Sequence, residues 1–225
     1  MSNHLDLEEQ EQLEELKHFW KQYGQLINAV LIAILLVVAG WNAYAYWSRQ
    51  QAAQASALFD EIERVARAGD TERLDRVLGD MKDKFASTAY AQQASLMAAK
   101  VYANAGKNDA AKSALLWVAD KSSDEGYAAI ARLRLAGVLI DTQAYDEALK
   151  QLSGPFPGDF VALAADRRGD VYSAQGNKAL AGQEYLKAFK GLEAGTEYRR
   201  MVDVKLAALG LSPAAPADAT VEVKK

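Results

Sequence analysis

The 225-residue chain contains no cysteine. That excludes disulfide staples, thiol chemistry, cysteine-ligated metal clusters and a lipid-modified N-terminal cysteine. Histidine is nearly missing: His4 and His18 both precede the long apolar run, so the bulk of the chain has no imidazole to act as a base or metal ligand. Only four prolines occur, none of them between residues 47 and 154, so long helices are permitted there. Strand-type alternation is lacking, and apolar residues instead recur at three and four. Neither a glycine-rich phosphate loop nor a nucleophile elbow is found. An excess of base is lacking as well. The formal net charge is −4, and residues 1–25 account for it with six acids (Asp6, Glu8, Glu9, Glu11, Glu14, Glu15) against Lys17 and Lys21. The neutral, mixed-charge remainder offers no footprint for nucleic acid, and nothing points to a metal or cofactor.

What is present begins with residues 26–47, which carry no charge over 22 positions. As a helix this stretch spans about 33 Å, enough for a hydrocarbon core of about 30 Å. Phe19, Trp20 and Tyr23 precede it and Trp41, Tyr44, Tyr46 and Trp47 close it, the pattern of rings that settle at headgroup level. The acidic 25-residue start and the length of the apolar run are wrong for a cleaved signal peptide, so the segment reads as an uncleaved signal anchor. Lys17 and Lys21 lie before it and Arg49 alone follows within fifteen residues. This bias favours a cytoplasmic N-terminus and puts residues 48–225 outside the cytoplasmic membrane, in the periplasm of a Gram-negative cell. Asn28 and Asn42 either bond a partner helix or reach interfacial water. The acidic head, with Leu13, Leu16, Phe19 and Trp20 at helical spacing, is either a short amphipathic helix on the cytoplasmic membrane face, a contact for a cytosolic or membrane partner, or simply solvated.

Beyond the anchor the expected fold is all-α. Short polar turns recur at Gly69, Gly106, Gln143 and Gly176, separated by 37, 37 and 33 residues. Four residues before them stand Val65, Tyr102, Leu139 and Tyr172; five after them stand Leu74, Ala111, Ala148 and Ala181. A period near 34, with a small residue opening the second helix of most pairs, is the tetratricopeptide signature. The expected organisation is a head over 1–25, the anchor over 26–47, a tetratricopeptide-like helical-hairpin solenoid over 48–211, and a disordered tail over 212–225. The final helix, over 191–209, would cover the open end of the stack with Met201, Val202, Leu206 and Leu209. The Gly154-Pro155-Phe156-Pro157-Gly158 segment reads as a long inter-repeat loop, and Trp117 as packing.

Projecting the repeat onto the first helix of each pair predicts a concave groove lined by Phe59, Glu63, Leu96, Lys100, Asn104, Leu133, Gly137, Asp141, Asp166 and Asp170. Its lining would run from apolar to acidic and suit a partly apolar, basic segment. The same positions are equally those of solvated helix faces, or of faces packed under a capping helix. Asp166 and Asp170, four apart, form a carboxylate pair of the kind hydrolases use, but Arg167 and Arg168 stand between them and no apolar pocket is evident. A charged helix face is the simpler reading, and catalysis is not expected.

The run from Leu13 through Trp20 and Lys21 to Tyr23-Gly24, leading into one anchor and a tetratricopeptide-like domain, resembles the YfgM-type family of ancillary SecYEG translocon subunits. The resemblance implies a single-pass inner-membrane protein with a periplasmic domain. It further implies association with SecYEG and with a PpiD-type membrane-anchored chaperone, in aid of newly exported client proteins. The opposite topology would make the chain a membrane-tethered cytoplasmic scaffold.

Overall fold

A computed structural model describes residues 7–212, with side chains from residue 11 onward. His4 and Asp6 of the head, and all but Ser212 of the expected tail, lie outside the described residues. Regular structure among the described residues is entirely helical: α1 (Leu7–Ala68), α2 (Thr71–Phe85), α3 (Ala89–Asn104), α4 (Asn108–Lys121), α5 (Glu125–Asp141), α6 (Tyr145–Ser153), α7 (Gly158–Ala174), α8 (Lys178–Gly191) and α9 (Glu197–Ala208). The chain divides into two units, Met1–Ala53 and Gln54–Lys225, and α1 contributes to both.

In the first unit, α1 carries the described segment long and apolar enough to cross a membrane. Among the described residues its apolar side chains stay uncovered: Leu35, Leu36, Val37, Trp41 and Tyr46 are all exposed. In water such a surface would be costly at about 25 cal/mol per Å², and in a bilayer it is solvated by lipid tails. The Asn42 side-chain amide donates to the Val38 carbonyl at 2.9 Å, one turn back on its own helix, so one of its polar groups is already satisfied. The head from Leu7 continues into the anchor without a break.

In the second unit, the end of α1 pairs with α2, α3 with α4, α5 with α6, and α7 with α8. The repeat register accounts for the core. The small or apolar residues opening each second helix, Leu74, Ala111, Ala148 and Ala181, are wholly buried, and Tyr102 and Leu139 opposite them are nearly so. Each hairpin turns through one left-handed residue: Gly69 (φ 70°), Gly106 (φ 72°), Gln143 (φ 60°) and Gly176 (φ 77°). Behind three of the turns the same hydrogen bond closes the helix, from Lys107 N to Tyr102 O, Ala144 N to Leu139 O and Asn177 N to Tyr172 O, each 2.8 Å. This is the Schellman closure, which satisfies carbonyls that a helix end leaves open. The third repeat therefore keeps the conformation even though glutamine stands where its neighbours have glycine. Helix starts are marked by side-chain caps, among them Asp70 on Arg73 N and Asp124 on Gly126 N and Tyr127 N.

The loop between α6 and α7 is held by Arg132, whose guanidinium donates to the Gln151 and Pro155 carbonyls at 2.8 Å each and lies 4.0 Å from the Phe156 ring centroid. Trp117 is half-buried against the core, with Lys82 Nζ 5.2 Å from its ring. The final helix begins at Glu197 rather than 191, because Gly195 turns left-handed (φ 87°) and Thr196 caps the helix that follows. Val202 and Leu206 are fully buried beneath it, while Met201 faces outward.

Candidate partner-binding groove

The first helices of the repeats present two neighbouring cavities. One, of about 290 Å³, lies between the end of α1 and α3 and is lined by Glu63, Ala66, Arg67, Met97, Lys100, Val101 and Asn104. The next, of about 440 Å³, lies among α3, α5 and α7, with Lys100, Arg134, Gly137, Asp141 and Arg167 around a floor of Ala99, Ala103, Leu115 and Val138. Lys100 borders both, so the two cavities adjoin across α3 on the face of the first helices.

Five of the ten predicted positions line them: Glu63, Lys100, Asn104, Gly137 and Asp141. Four that do not, Phe59, Leu96, Leu133 and Asp166, share a reason. Each stands ten residues before its turn position. At 3.6 residues per turn, ten before and two before are separated by eight residues, or about 80° round the helix, whereas nine before is only about 20° away. The column at ten therefore rotates into the protein. Leu96 is buried, Phe59 and Leu133 pack on the core, and Phe59 sits 5.7 Å from the Tyr90 ring. Position nine takes its place in the groove, as Met97, Arg134 and Arg167.

Asp166 and Asp170 serve a structural purpose. Asp166 is 1% exposed. Both of its carboxylate oxygens accept from Lys205 Nζ at 2.8 Å, and Tyr198 OH donates to it at 2.7 Å. Asp170 accepts from Lys205 Nζ at 2.7 Å, from Tyr185 OH at 2.9 Å and from Arg167 at 3.1 Å. One ammonium on α9 thus bridges both acids on α7 and docks the capping helix, with Arg167 supplying the second positive charge. Burial, reinforced by the Asp170 and Asp166 carboxylates respectively, pushes the Tyr185 and Tyr198 hydroxyls well above the ordinary tyrosine range. Carboxylates so occupied are not poised as an acid–base pair.

A second pin joins repeats three and four. Arg168 donates to Glu184 at 2.7 Å and to the Leu152 carbonyl at 2.9 Å. Burial alone would raise the Glu184 carboxyl, but hydrogen bonds from Lys187 and Arg168 outweigh it and hold the group below its usual range.

The groove departs from expectation in its sign. Its charged lining consists of Arg67, Lys100, Arg134 and Arg167 against Glu63 and Asp141, so the lining is basic rather than acidic. Arg67, Arg134 and Arg167 were not among the predicted positions; with Lys100 they recur every 33, 34 and 33 residues, whereas the first two turn intervals are 37, so no single offset in the repeat marks them.

A family model described as a tetratricopeptide repeat-like domain matches residues 17–211, taking in the anchor and all four helical pairs. A protein of Neisseria gonorrhoeae is 31% identical over 204 residues, covering 90% of this chain and 98% of its own. The chain belongs to the YfgM-type family. That relative is named an ancillary SecYEG translocon subunit, as are family members from Haemophilus influenzae (30% identical, 81% of this chain and 89% of its own) and Escherichia coli (27%, 76% and 82%). Membership and the single apolar N-terminal helix together fit a single-pass protein of the inner membrane.

Proposed function

We propose that this chain is an ancillary subunit of the SecYEG translocon, with its N-terminus in the cytoplasm and its repeat domain in the periplasm. There it binds protein segments rather than transforming a substrate. The similarity to the gonococcal subunit along almost the whole of both chains carries this reading. The lysine bias ahead of the anchor supports the orientation, and the adjoining cavities on the first helices of the repeat domain support a binding role. A membrane-anchored chaperone of the PpiD type is the partner proposed to link the domain to exported clients.

Affinity purification of the tagged full chain from membranes solubilised in mild detergent tests the association. SecYEG is expected to co-purify and to be lost when residues 54–211 are replaced by an unrelated periplasmic domain. Retention of SecYEG by the anchor alone would remove the repeat domain from the contact, and recovery of no translocon component from the intact chain would overturn the proposal.

A further inference from the structure

We infer that the groove takes an extended acidic segment of a protein partner, whose carboxylates meet Arg67, Lys100, Arg134 and Arg167 in turn. The inference rests on the groove being the working surface of the proposed function and adds the chemistry of what it holds. Four cations in one groove are not a by-product of a basic domain, because residues 54–211 carry 21 bases and 22 acids. In the lining the balance is instead four bases against two acids.

The four lie two, six, nine and nine residues before their turn positions. Those offsets differ by four, three and seven, which keeps all four on the same face of their helices while the row runs obliquely across them. The Arg67 side chain is 71% exposed, and its contact with Glu63 is long, at 3.7 Å. Lys100 makes no ion pair among the described residues. Arg134 donates one N–H to the Leu96 carbonyl at 3.3 Å, which orients its guanidinium. Arg167 shares Asp170 with Lys205 and Tyr185. A guanidinium has five donors, so both arginines keep capacity for a bidentate carboxylate.

Spacing selects the form of the ligand. Packed helices lie about 8–10 Å apart, so successive bases recur at intervals on the order of 10 Å. An extended chain rises about 3.3 Å per residue, so an acid at every third position meets each base. The apolar floor of Ala99, Ala103, Leu115 and Val138 accommodates small apolar side chains between them.

The probe is a fluorescent twelve-residue peptide with Glu at every third position and Ala and Ser between. A counterpart has Gln for Glu, and both are titrated onto the full chain in neutral detergent micelles by anisotropy. The Glu peptide is expected to bind at least roughly tenfold more tightly than the Gln peptide, and to weaken as ionic strength rises from about 0.05 to about 0.3 M. Arg67→Glu with Lys100→Glu should weaken it by roughly tenfold or more. The neutral pair Arg67→Gln with Lys100→Gln, which introduces no repulsion, should cost roughly threefold to tenfold at an unchanged unfolding midpoint. Equal affinity for both peptides, or an affinity indifferent to both pairs of substitutions, overturns the inference. The translocon reading is scored separately by co-purification. SecYEG recovered without peptide discrimination would sink the acidic-ligand inference alone, and discrimination without SecYEG would sink the translocon reading alone.

Discussion

Lys205→Met removes the one ammonium that holds Asp166 and Asp170 together beneath α9. In the native chain this ammonium lies within 2.8 Å of both carboxylates, and Asp166 is 1% exposed. Breaking a buried pair by deleting one partner costs about 3–5 kcal/mol, because a charge is left buried without compensation. The Lys205 side chain is 26% exposed and that of Asp170 20%, so water relieves part of the penalty and the low end, about 3 kcal/mol, applies. For a domain of this size that corresponds to a fall of roughly 6–12 °C in the unfolding midpoint. The loss should be concentrated at the α9 end, since a solenoid passes stability only between neighbours. Circular dichroism melts of the full chain in micelles give the total, and hydrogen exchange at the α9 amides gives its place. Asp166→Asn in the same background removes one stranded charge while leaving an acceptor for Tyr198, so the double variant should recover part of the loss. A midpoint within about 2 °C of wild type, or strict additivity of the two substitutions, would refute the reasoning.

Gln143→Gly should stabilise the domain by about 0.5–1 kcal/mol, since relief of the left-handed strain, about 1–2 kcal/mol, exceeds the extra entropy glycine loses. A lower midpoint in urea would contradict it. Gly169→Ala should cost about 1–3 kcal/mol, because the new Cβ would sit 2.4 Å from ring carbons of Tyr185; a neutral effect would mean α7 and α8 are not packed as described. Stability should also fall at high pH. Tyr102, Tyr185 and Tyr198 have hydroxyls raised by burial and carboxylate partners, so their contribution is complete below the ordinary tyrosine value near 10 and is lost as pH climbs towards their raised values. Glu184 acts in the opposite sense: its lowered carboxyl contributes above the ordinary glutamate value and loses that contribution as pH falls. Midpoints measured from about pH 2.5 to about pH 11 should therefore form a plateau with two shoulders, and Tyr198→Phe should shrink the alkaline one.

The architecture was legible because its determinants are local. The charge-free anchor needs no tertiary information, and the turn-and-alanine register repeats often enough to be read without a structure. Even Gln143, which breaks the glycine pattern, was recoverable from the Val65, Tyr102, Leu139 and Tyr172 column around it. The groove was only half legible. Stepping back from each turn in fours identified Lys100, Asn104, Gly137 and Asp141, but accumulated 40° per step and carried Leu96 and Asp166 past the rim. Arg67, Arg134 and Arg167 were passed over because they occupy different offsets in their repeats, and only the packed helices bring those offsets onto one face. The pairing of Lys205 with Asp166 spans 39 residues with the whole of α8 between them, a relation no local spacing encodes.

Every claim about periplasmic partners depends on which side of the membrane the repeat domain occupies. The most direct measurement fuses a reporter active only outside the cytoplasm after Lys225 and, separately, before Met1, in a Gram-negative host. Activity from the C-terminal fusion alone is the predicted result, placing the groove where exported chains emerge. Activity from the N-terminal fusion alone would contradict the account and leave a cytoplasmic scaffold tethered to the membrane.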